Sequence, residues 1–261
     1  MPKRGAFIVV EGLDRSGKTT QTSRLYDRLS QSGTPVKLYK FPDRTTATGK
    51  MIDSYLRSQS ELDDRAIHLL FSANRWEAAC SMIKELETGT TIICDRYAFS
   101  GIAFSAAKAL PPPSSSSLSS PDTNSTNPSK SISTSTLSYE WCRAPDTGLP
   151  APDLVIFLDV SEAVAQARGG YGQERYEKAD MQRRVRAVFQ RIAIEFPPVD
   201  VGRRAQGELE GGLRWINIDA GQDMDKVGAD IWNCVEALVG GVGTPLGRLW
   251  SDAILNPPGL L

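Results

Sequence analysis

The chain has 261 residues, 40% of them hydrophobic and 23% charged, with 30 Lys plus Arg against 31 Asp plus Glu for a net charge of −1. That apolar fraction can bury a core, which excludes wholesale disorder, and the balanced charge disfavours a protein that coats nucleic acid. Four scattered cysteines (Cys80, Cys94, Cys142 and Cys234) without a CxxC pair, and a single histidine, His68, argue against a zinc module, a disulfide framework and a Ser-His-Asp hydrolase.

The opening MPKRGAFIVVEG has too short an apolar run for a signal peptide, and no stretch of 18 apolar residues follows. A cytosolic start and no membrane span are expected, and the Asn124-Ser125-Thr126 sequon would then meet no glycosylation machinery. The first predicted strand, Ala6–Val10, leads directly into Gly12-Leu13-Asp14-Arg15-Ser16-Gly17-Lys18-Thr19, a match to GxxxxGK[ST], and then into a predicted helix, Lys18–Ser32. In that context the glycines let successive backbone N–H groups point inward around phosphate oxygens at a helix N-terminus. Lys18 would reach the β- and γ-phosphates, and the Thr19 hydroxyl could ligate Mg²⁺. The competing account is a glycine turn before an ordinary helix. An acid beside a triphosphate is electrostatically costly, so Asp14 is expected to face another ligand such as a sugar hydroxyl. Arg15 can supply a cation to the transferring phosphoryl group. The alternative for both is a side chain directed to solvent. No NKxD run for guanine is present.

The second strand, Val36–Phe41, ends at Phe41-Pro42-Asp43-Arg44, and the third, Thr90–Cys94, ends at Asp95-Arg96-Tyr97. Ligands collect outside the carboxyl ends of strands in open α/β sheets, and each cluster brings an Arg suited to phosphate. Asp95 is the expected partner of the Mg²⁺ shell, or else a helix N-cap. Between these strands the helix Asp63–Glu87 puts Phe71 and Arg75 on one face, where an aromatic plane and a guanidinium suit a base. A core Phe and a surface Arg would give the same pattern. His68 lies among apolar residues of that helix and reads as structural. Gly33 and Gly89 stand where helix C-caps are expected.

After the helix Ser100–Leu110, Pro111–Ser138 holds 12 Ser, 4 Thr and 5 Pro in 28 residues. Too few of its side chains can offset the entropy of ordering, so it reads as a mobile insertion, or as a phosphorylated tether with a site such as Ser120. Helical signals resume at Tyr139–Arg143. The strand Leu154–Leu158 and the helix Ser161–Arg168, with Ser161 as N-cap, lead to the glycine-rich, basic stretch 168–176, a lid or a plain surface loop. The helix Lys178–Glu195, the strand Trp215–Ile218 and the helix Asp223–Leu238 complete the series. Five strands alternating with helices imply one α/β domain over 1–261 on a parallel sheet with right-handed crossovers.

GLDRSGKTT at Gly12–Thr20, FPDRTTATGK at Phe41–Lys50, HLLFSANRWE at His68–Glu77, DRYAFSGIAFSAAK at Asp95–Lys108, GLPAPDLVIFLDV at Gly148–Val160 and ERYE at Glu174–Glu177 together resemble the thymidylate kinase family, from about residue 5 to 250 outside the insertion. The DRY run differs from the ERS typical of deoxynucleoside kinases. The resemblance implies a P-loop three-layer α/β sandwich with a five-stranded parallel sheet and a lid, of the nucleoside monophosphate kinase type. It implies transfer of the γ-phosphoryl of ATP to dTMP on the way to dTTP, with Mg²⁺. On the ATP side it assigns Arg15, Ser16, Gly17, Lys18, Thr19, Thr20 and Arg168, with Asp219 and Ala220 toward adenine, and Thr19 and Asp95 toward the metal. On the dTMP side Asp14 would contact the 3′-hydroxyl, while Arg44 and Arg96 would hold the phosphate. Phe71 would stack on thymine, Arg75 would bond its edge, and Tyr97 would crowd the position of a ribose 2′-hydroxyl. Phe41, Pro42, Ser100, Gly101, Phe104 and Tyr176 would complete the pocket. Catalysis would rest on Arg15, Lys18, Arg96 and Asp95, with an arginine in the phosphate loop as in eukaryotic members. The lid arginines Arg168 and Arg175 leave that division of labour open. A homodimer is implied, with the helices Asp63–Glu87 and Ser100–Leu110 as candidate interfaces. The expected location is cytoplasmic, with a nuclear share left open. The competing readings are another P-loop nucleotide or deoxynucleoside kinase, or an inactive nucleotide-binding regulator.

Overall fold

The computed structural model describes residues 3–110, 137–168, 174–196 and 212–251. Five parallel strands, β1 (Phe7–Gly12), β2 (Val36–Lys40), β3 (Thr91–Asp95), β4 (Leu154–Asp159) and β5 (Arg214–Asp219), form one sheet in the order β2-β3-β1-β4-β5. The α/β architecture therefore matches the expectation. Every residue of β1 and of β3 is buried, as central strands covered on both faces must be, whereas the edge strand β2 is partly exposed along its length. Eight helices accompany the sheet among the described residues: α1 (Lys18–Gln31), α2 (Ala47–Leu56), α3 (Asp64–Glu87), α4 (Ala98–Ala106), α5 (Tyr139–Arg143), α6 (Glu162–Ala167), α7 (Ala179–Ile194) and α8 (Met224–Val235). Seven of them pack in two groups, α1 with α8, and α4 with α3, α5 and α7, with α2 on α3. One continuous cluster of buried side chains joins the strands to both groups.

Local chemistry sets most boundaries. Gly33 and Gly89 adopt left-handed φ values of 77° and 92° just past α1 and α3. The Ser161 hydroxyl accepts the Val164 N–H at 3.4 Å to start α6. Helix α2 carries no sequence expectation. It starts where the Thr46 hydroxyl accepts the Gly49 N–H at 3.0 Å, and it buries Ile52, Tyr55 and Leu56. Gly49 is required there: a Cβ would lie 1.7 Å from the Asp43 carbonyl oxygen. The helix predicted over Ser100–Leu110 begins two residues earlier, at Ala98, and ends in a 3₁₀ turn over Ala107–Ala109.

Two expectations need correction and two fall outside view. Helix α4 is buried on nearly every side, with only Phe104 among its residues partly exposed, so it offers no interface. The Ser/Pro-rich insertion ends sooner than expected, because Leu137 is buried and the Ser138 hydroxyl caps α5 by accepting the Trp141 N–H at 3.1 Å. Residues 111–136, with Ser120 and the sequon at Asn124, and residues 169–173 of the lid stretch lie outside the described residues. No helix among the described residues is long and apolar enough to cross a membrane.

Candidate active site

The phosphate loop connects β1 to α1 and is built by backbone conformations that ordinary residues rarely adopt. Gly12 has φ 150° and Gly17 φ 88°, and a Cβ at Gly12 would lie 2.5 Å from the Leu158 carbonyl oxygen. Arg15 takes φ 62°, a left-handed conformation that a non-glycine residue holds only under constraint. Lys18 is buried at the first turn of α1, and its ammonium donates to the Leu13 carbonyl at 2.6 Å and to the Ser16 hydroxyl at 3.3 Å. Burial, and then the nearby Arg96 cation, push the Lys18 ammonium down to about 7. An anionic ligand above the loop would favour the charged ammonium and oppose both effects.

At the end of β3 the Asp95 carboxylate accepts the Thr19 hydroxyl at 2.7 Å. It does not cap α4, whose N-cap residue is Tyr97. Lys40 adds its ammonium 3.4 Å from Asp95 and donates to the Thr19 hydroxyl at 3.2 Å. The paired oxygens of Thr19 and Asp95 fit Mg²⁺, which commonly takes one or two protein oxygens and fills its shell with water and substrate phosphate. No cluster of three or more acidic, His or Cys ligands exists among the described residues.

A cavity of about 410 Å³ opens between the loop and the ends of β2 and β3. The phosphate loop contributes Asp14, Arg15, Gly17, Lys18, Thr19 and Thr20 to its wall. The strand ends contribute Phe41, Pro42, Arg44, Asp95, Arg96 and Tyr97, and the surrounding helices Phe71, Arg75, Ser100, Gly101 and Phe104. Tyr176 closes the rim beside Glu174 and Glu177. The structure thus gathers every residue expected on the dTMP side around one space.

Each arginine in this cavity already faces an acid. Arg44 pairs with Asp53 at 2.7 Å and with Glu174 at 2.8 Å. Arg15 pairs with Glu177 at 3.2 Å. Arg96, held at φ 68°, bonds to Asp14 and also donates to the Gly12 carbonyl at 3.3 Å and the Ser100 hydroxyl at 3.2 Å. Asp14 therefore does not simply point to solvent: its second oxygen accepts Gln182 Nε2 at 2.7 Å, and Gln182 Oε1 accepts the Asp14 N–H at 3.0 Å. Arg75 is not the surface residue that its spacing allows. It is 2% exposed and ion-paired with Asp146, with its edge in the cavity wall. The Tyr97 hydroxyl donates to the Pro150 carbonyl at 3.2 Å, which leaves its ring between Phe7 and Phe41 as wall.

A second groove of about 210 Å³ lies across the loop, lined by Ser16, Gly17, Thr20, Arg168 and Ala220. Arg168 spans it, donating to the Arg15 carbonyl at 2.9 Å and the Ala220 carbonyl at 2.6 Å. Asp219, expected on this side, is exposed and does not line the groove, its carboxylate accepting the Gly221 N–H at 2.8 Å. Arg175 is outside both spaces. It bonds Glu61 at 2.6 Å and the Tyr55 carbonyl at 3.0 Å, whereas Arg15 and Arg168 stand at the loop.

Sequence reasoning missed several residues that set this geometry. Glu11 is fully buried under the loop, where its carboxylate accepts the N–H groups of Tyr97 (2.9 Å) and Ser100 (3.0 Å) and the Ser100 hydroxyl (2.5 Å). Burial raises its pKa, against those hydrogen bonds. Its one sequence signal is an acid interrupting the apolar run of β1. Lys40, Asp146 and Gln182 carry no comparable signal, and Glu174 and Glu177 have only their place in the ERYE run. His68, read as structural, is so: it is completely buried, 2.9 Å from the Cys142 carbonyl and 2.8 Å from the Ser105 hydroxyl.

A family model described as thymidylate kinase matches residues 10–112. The chain is 46% identical over 232 residues to a thymidylate kinase of Schizosaccharomyces pombe, covering 89% of this chain and 92% of that one. It is 37% identical over 249 residues to a Homo sapiens thymidylate kinase, covering 95% and 98%. A solved structure of thymidylate kinase from Candida albicans is similar at a TM-score of 0.73 and 35% identity, covering 95% of this chain and 99% of the other.

Proposed function

The chain belongs to the thymidylate kinase family, and from that premise we propose how its residues divide the work. It transfers the γ-phosphoryl group of ATP to dTMP, giving dTDP and ADP. The observation that carries the residue assignment is the convergence of Arg15, Arg44 and Arg96 from three separate loops on one cavity whose far wall is aromatic. Two anions need cations between them, and a base needs an apolar slot.

The acceptor is already a phosphate oxygen anion, so no side-chain base is required and catalysis reduces to alignment and charge neutralisation. Arg44 and Arg96 take the dTMP phosphate, exchanging their contacts with Glu174 and Asp14 for phosphate oxygens. Asp14, released from Arg96 but still tied to Gln182, accepts the 3′-hydroxyl. Phe71 stacks on thymine, Arg75 donates to its edge, and Phe104 and Tyr176 close the slot. The Tyr97 ring fills the space that a 2′-hydroxyl would need. Lys18 and the loop N–H groups hold the β- and γ-phosphates, and Arg15 exchanges Glu177 for the moving phosphoryl group. The adenine lies along Arg168 and Ala220. Thr19 and Asp95 would hold Mg²⁺, which when bound neutralises phosphate charge. A homodimer through α3, whose Leu69 and Trp76 are exposed, and a cytoplasmic location complete the proposal.

A coupled ADP-release assay across dTMP, dUMP, dGMP, UMP and thymidine tests the acceptor. The expected result is a clear preference for dTMP, and turnover of all five at similar kcat/KM would sink it.

A further inference from the structure

We propose that Asp146 is a specificity-positioning residue: a carboxylate shut away from ligand that fixes which edge of Arg75 faces the base. The inference rests on the reading, given above, that Phe71 and Arg75 hold the base.

Asp146 ends the 3₁₀ turn Ala144–Asp146 after α5 and has no exposed surface. Its Oδ1 accepts Arg75 Nε at 3.1 Å and the Ser72 hydroxyl at 2.8 Å, and its Oδ2 accepts Arg75 Nη2 at 2.6 Å. A guanidinium carries five N–H groups. This side-on pair consumes the Nε–H and one Nη2–H, leaving the Nη1 edge and one Nη2–H for other acceptors. Those atoms lie over Gly101, where a Cβ would come within 2.7 Å of Nη2 and 3.0 Å of Nη1. Asp146 is thus the anchor and Gly101 the clearance. The anchor is itself pinned, since Trp76 Nε1 donates to the Pro145 carbonyl at 2.8 Å and the Gly148 N–H donates to the Leu249 carbonyl at 2.8 Å.

Stability alone does not call for this arrangement. Taking two charges out of water costs several kcal/mol per ion, and an apolar pair of equal volume is often at least as stable. A fixed direction is what the ion pair adds. Without it nothing else among these contacts fixes the direction of a long, rotamer-rich side chain. A donor-only edge donates to a ring carbonyl and leaves an exocyclic amine unpaired. A rigidly aimed Arg75 therefore favours a 4-keto over a 4-amino pyrimidine monophosphate.

The test measures kcat and KM separately for dTMP, dCMP and ATP in Asp146→Asn, Gly101→Ala and Arg75→Ala, each in the full chain. Asp146→Asn and Gly101→Ala are expected to raise KM for dTMP about tenfold or more, the scale of one hydrogen bond from a charged group. The dTMP-to-dCMP ratio of kcat/KM should fall by a similar factor, with KM for ATP nearly unchanged. If Arg75→Ala leaves KM for dTMP intact, the base assignment itself fails. If Arg75→Ala raises it while Gly101→Ala leaves both KM and the ratio at wild-type values, the positioning role is overturned. Equal losses on dTMP and dCMP, or a fall in kcat alone, would mark a purely structural role and overturn it too. Asp146→Asn breaks a buried charge pair and can unfold the chain, and Gly101→Ala displaces the guanidinium while keeping both charges in place.

Discussion

Asp14 and Arg96 stand 82 residues apart in sequence and bond directly across the cavity, one from the phosphate loop and one from the end of β3. On the proposed reading, this pair holds the two residues assigned to the sugar hydroxyl and to the phosphate before either substrate group arrives. Two further contacts hold the pair: Gln182 grips Asp14 through both its N–H and its carboxylate, and Ser100, itself bound to Glu11, supports Arg96.

Gln182→Ala should therefore weaken dTMP without touching ATP. Its Nε2 also reaches the Tyr176 carbonyl at 3.0 Å, so its loss frees both Asp14 and the rim. A rise of about tenfold in KM for dTMP is expected, with kcat and KM for ATP close to wild type, from steady-state kinetics with each substrate varied. An equal change for both substrates would contradict the assignment.

Arg15→Ala should lower kcat by about 10³-fold, the smaller end of the effect of an arginine that stabilises a transferring phosphoryl group, and should leave ATP binding nearly intact. Single-turnover rates together with a direct ATP-binding isotherm separate the two. Unchanged kcat would pass the role to Arg168, which already contacts the Arg15 carbonyl.

Stability should fall with acid through His68. Burial, with the Arg75 cation second, pushes its imidazole down to about 4, against about 6.5 in the unfolded chain. Between those values the unfolded chain binds a proton that the native state refuses, so stability rises with pH across that window and is lost as pH falls through it. The full difference is on the order of 3 kcal/mol. Because a carbonyl only accepts, His68 donates from Nε2 to Cys142 and accepts the Ser105 hydroxyl at Nδ1, and protonation would force the second bond to reverse direction. Urea unfolding from pH 7 to pH 5 should show a steeper loss in the wild type than in His68→Asn, and parallel slopes would refute it.

The proposed dimer rests on α3, where Leu69 and Trp76 are 47% and 41% exposed two turns apart on one helix face. Light scattering should give twice the chain mass for the wild type and the single-chain mass for a Leu69→Glu, Trp76→Glu double variant. A monomeric wild type would end the proposal.

The missed helix α2 shows where local reading stops. Its Thr-rich start and Gly49 lower helix propensity, and it forms because Thr46 caps it and Ile52, Tyr55 and Leu56 find a second small cluster with Ile67. The strands of the centre were legible because burial on both faces leaves an unbroken apolar run. Helix α4 was legible as apolar, but that same apolarity answers to α3, α5 and α7 and not to a second chain.

The order of residues alone determined the phosphate loop, the strand-end arginines and the parallel α/β plan, because each depends on neighbours within a few positions or on a repeating pattern. Only the tertiary structure decided that Asp146 aims Arg75, that Gln182 and Arg96 share Asp14, and that Arg175 turns away to Glu61. An ion pair between distant segments leaves no periodic trace. A buried charge takes whichever partner the packed backbone brings within hydrogen-bond reach, and that distance exists only once the sheet and its helices have closed around it.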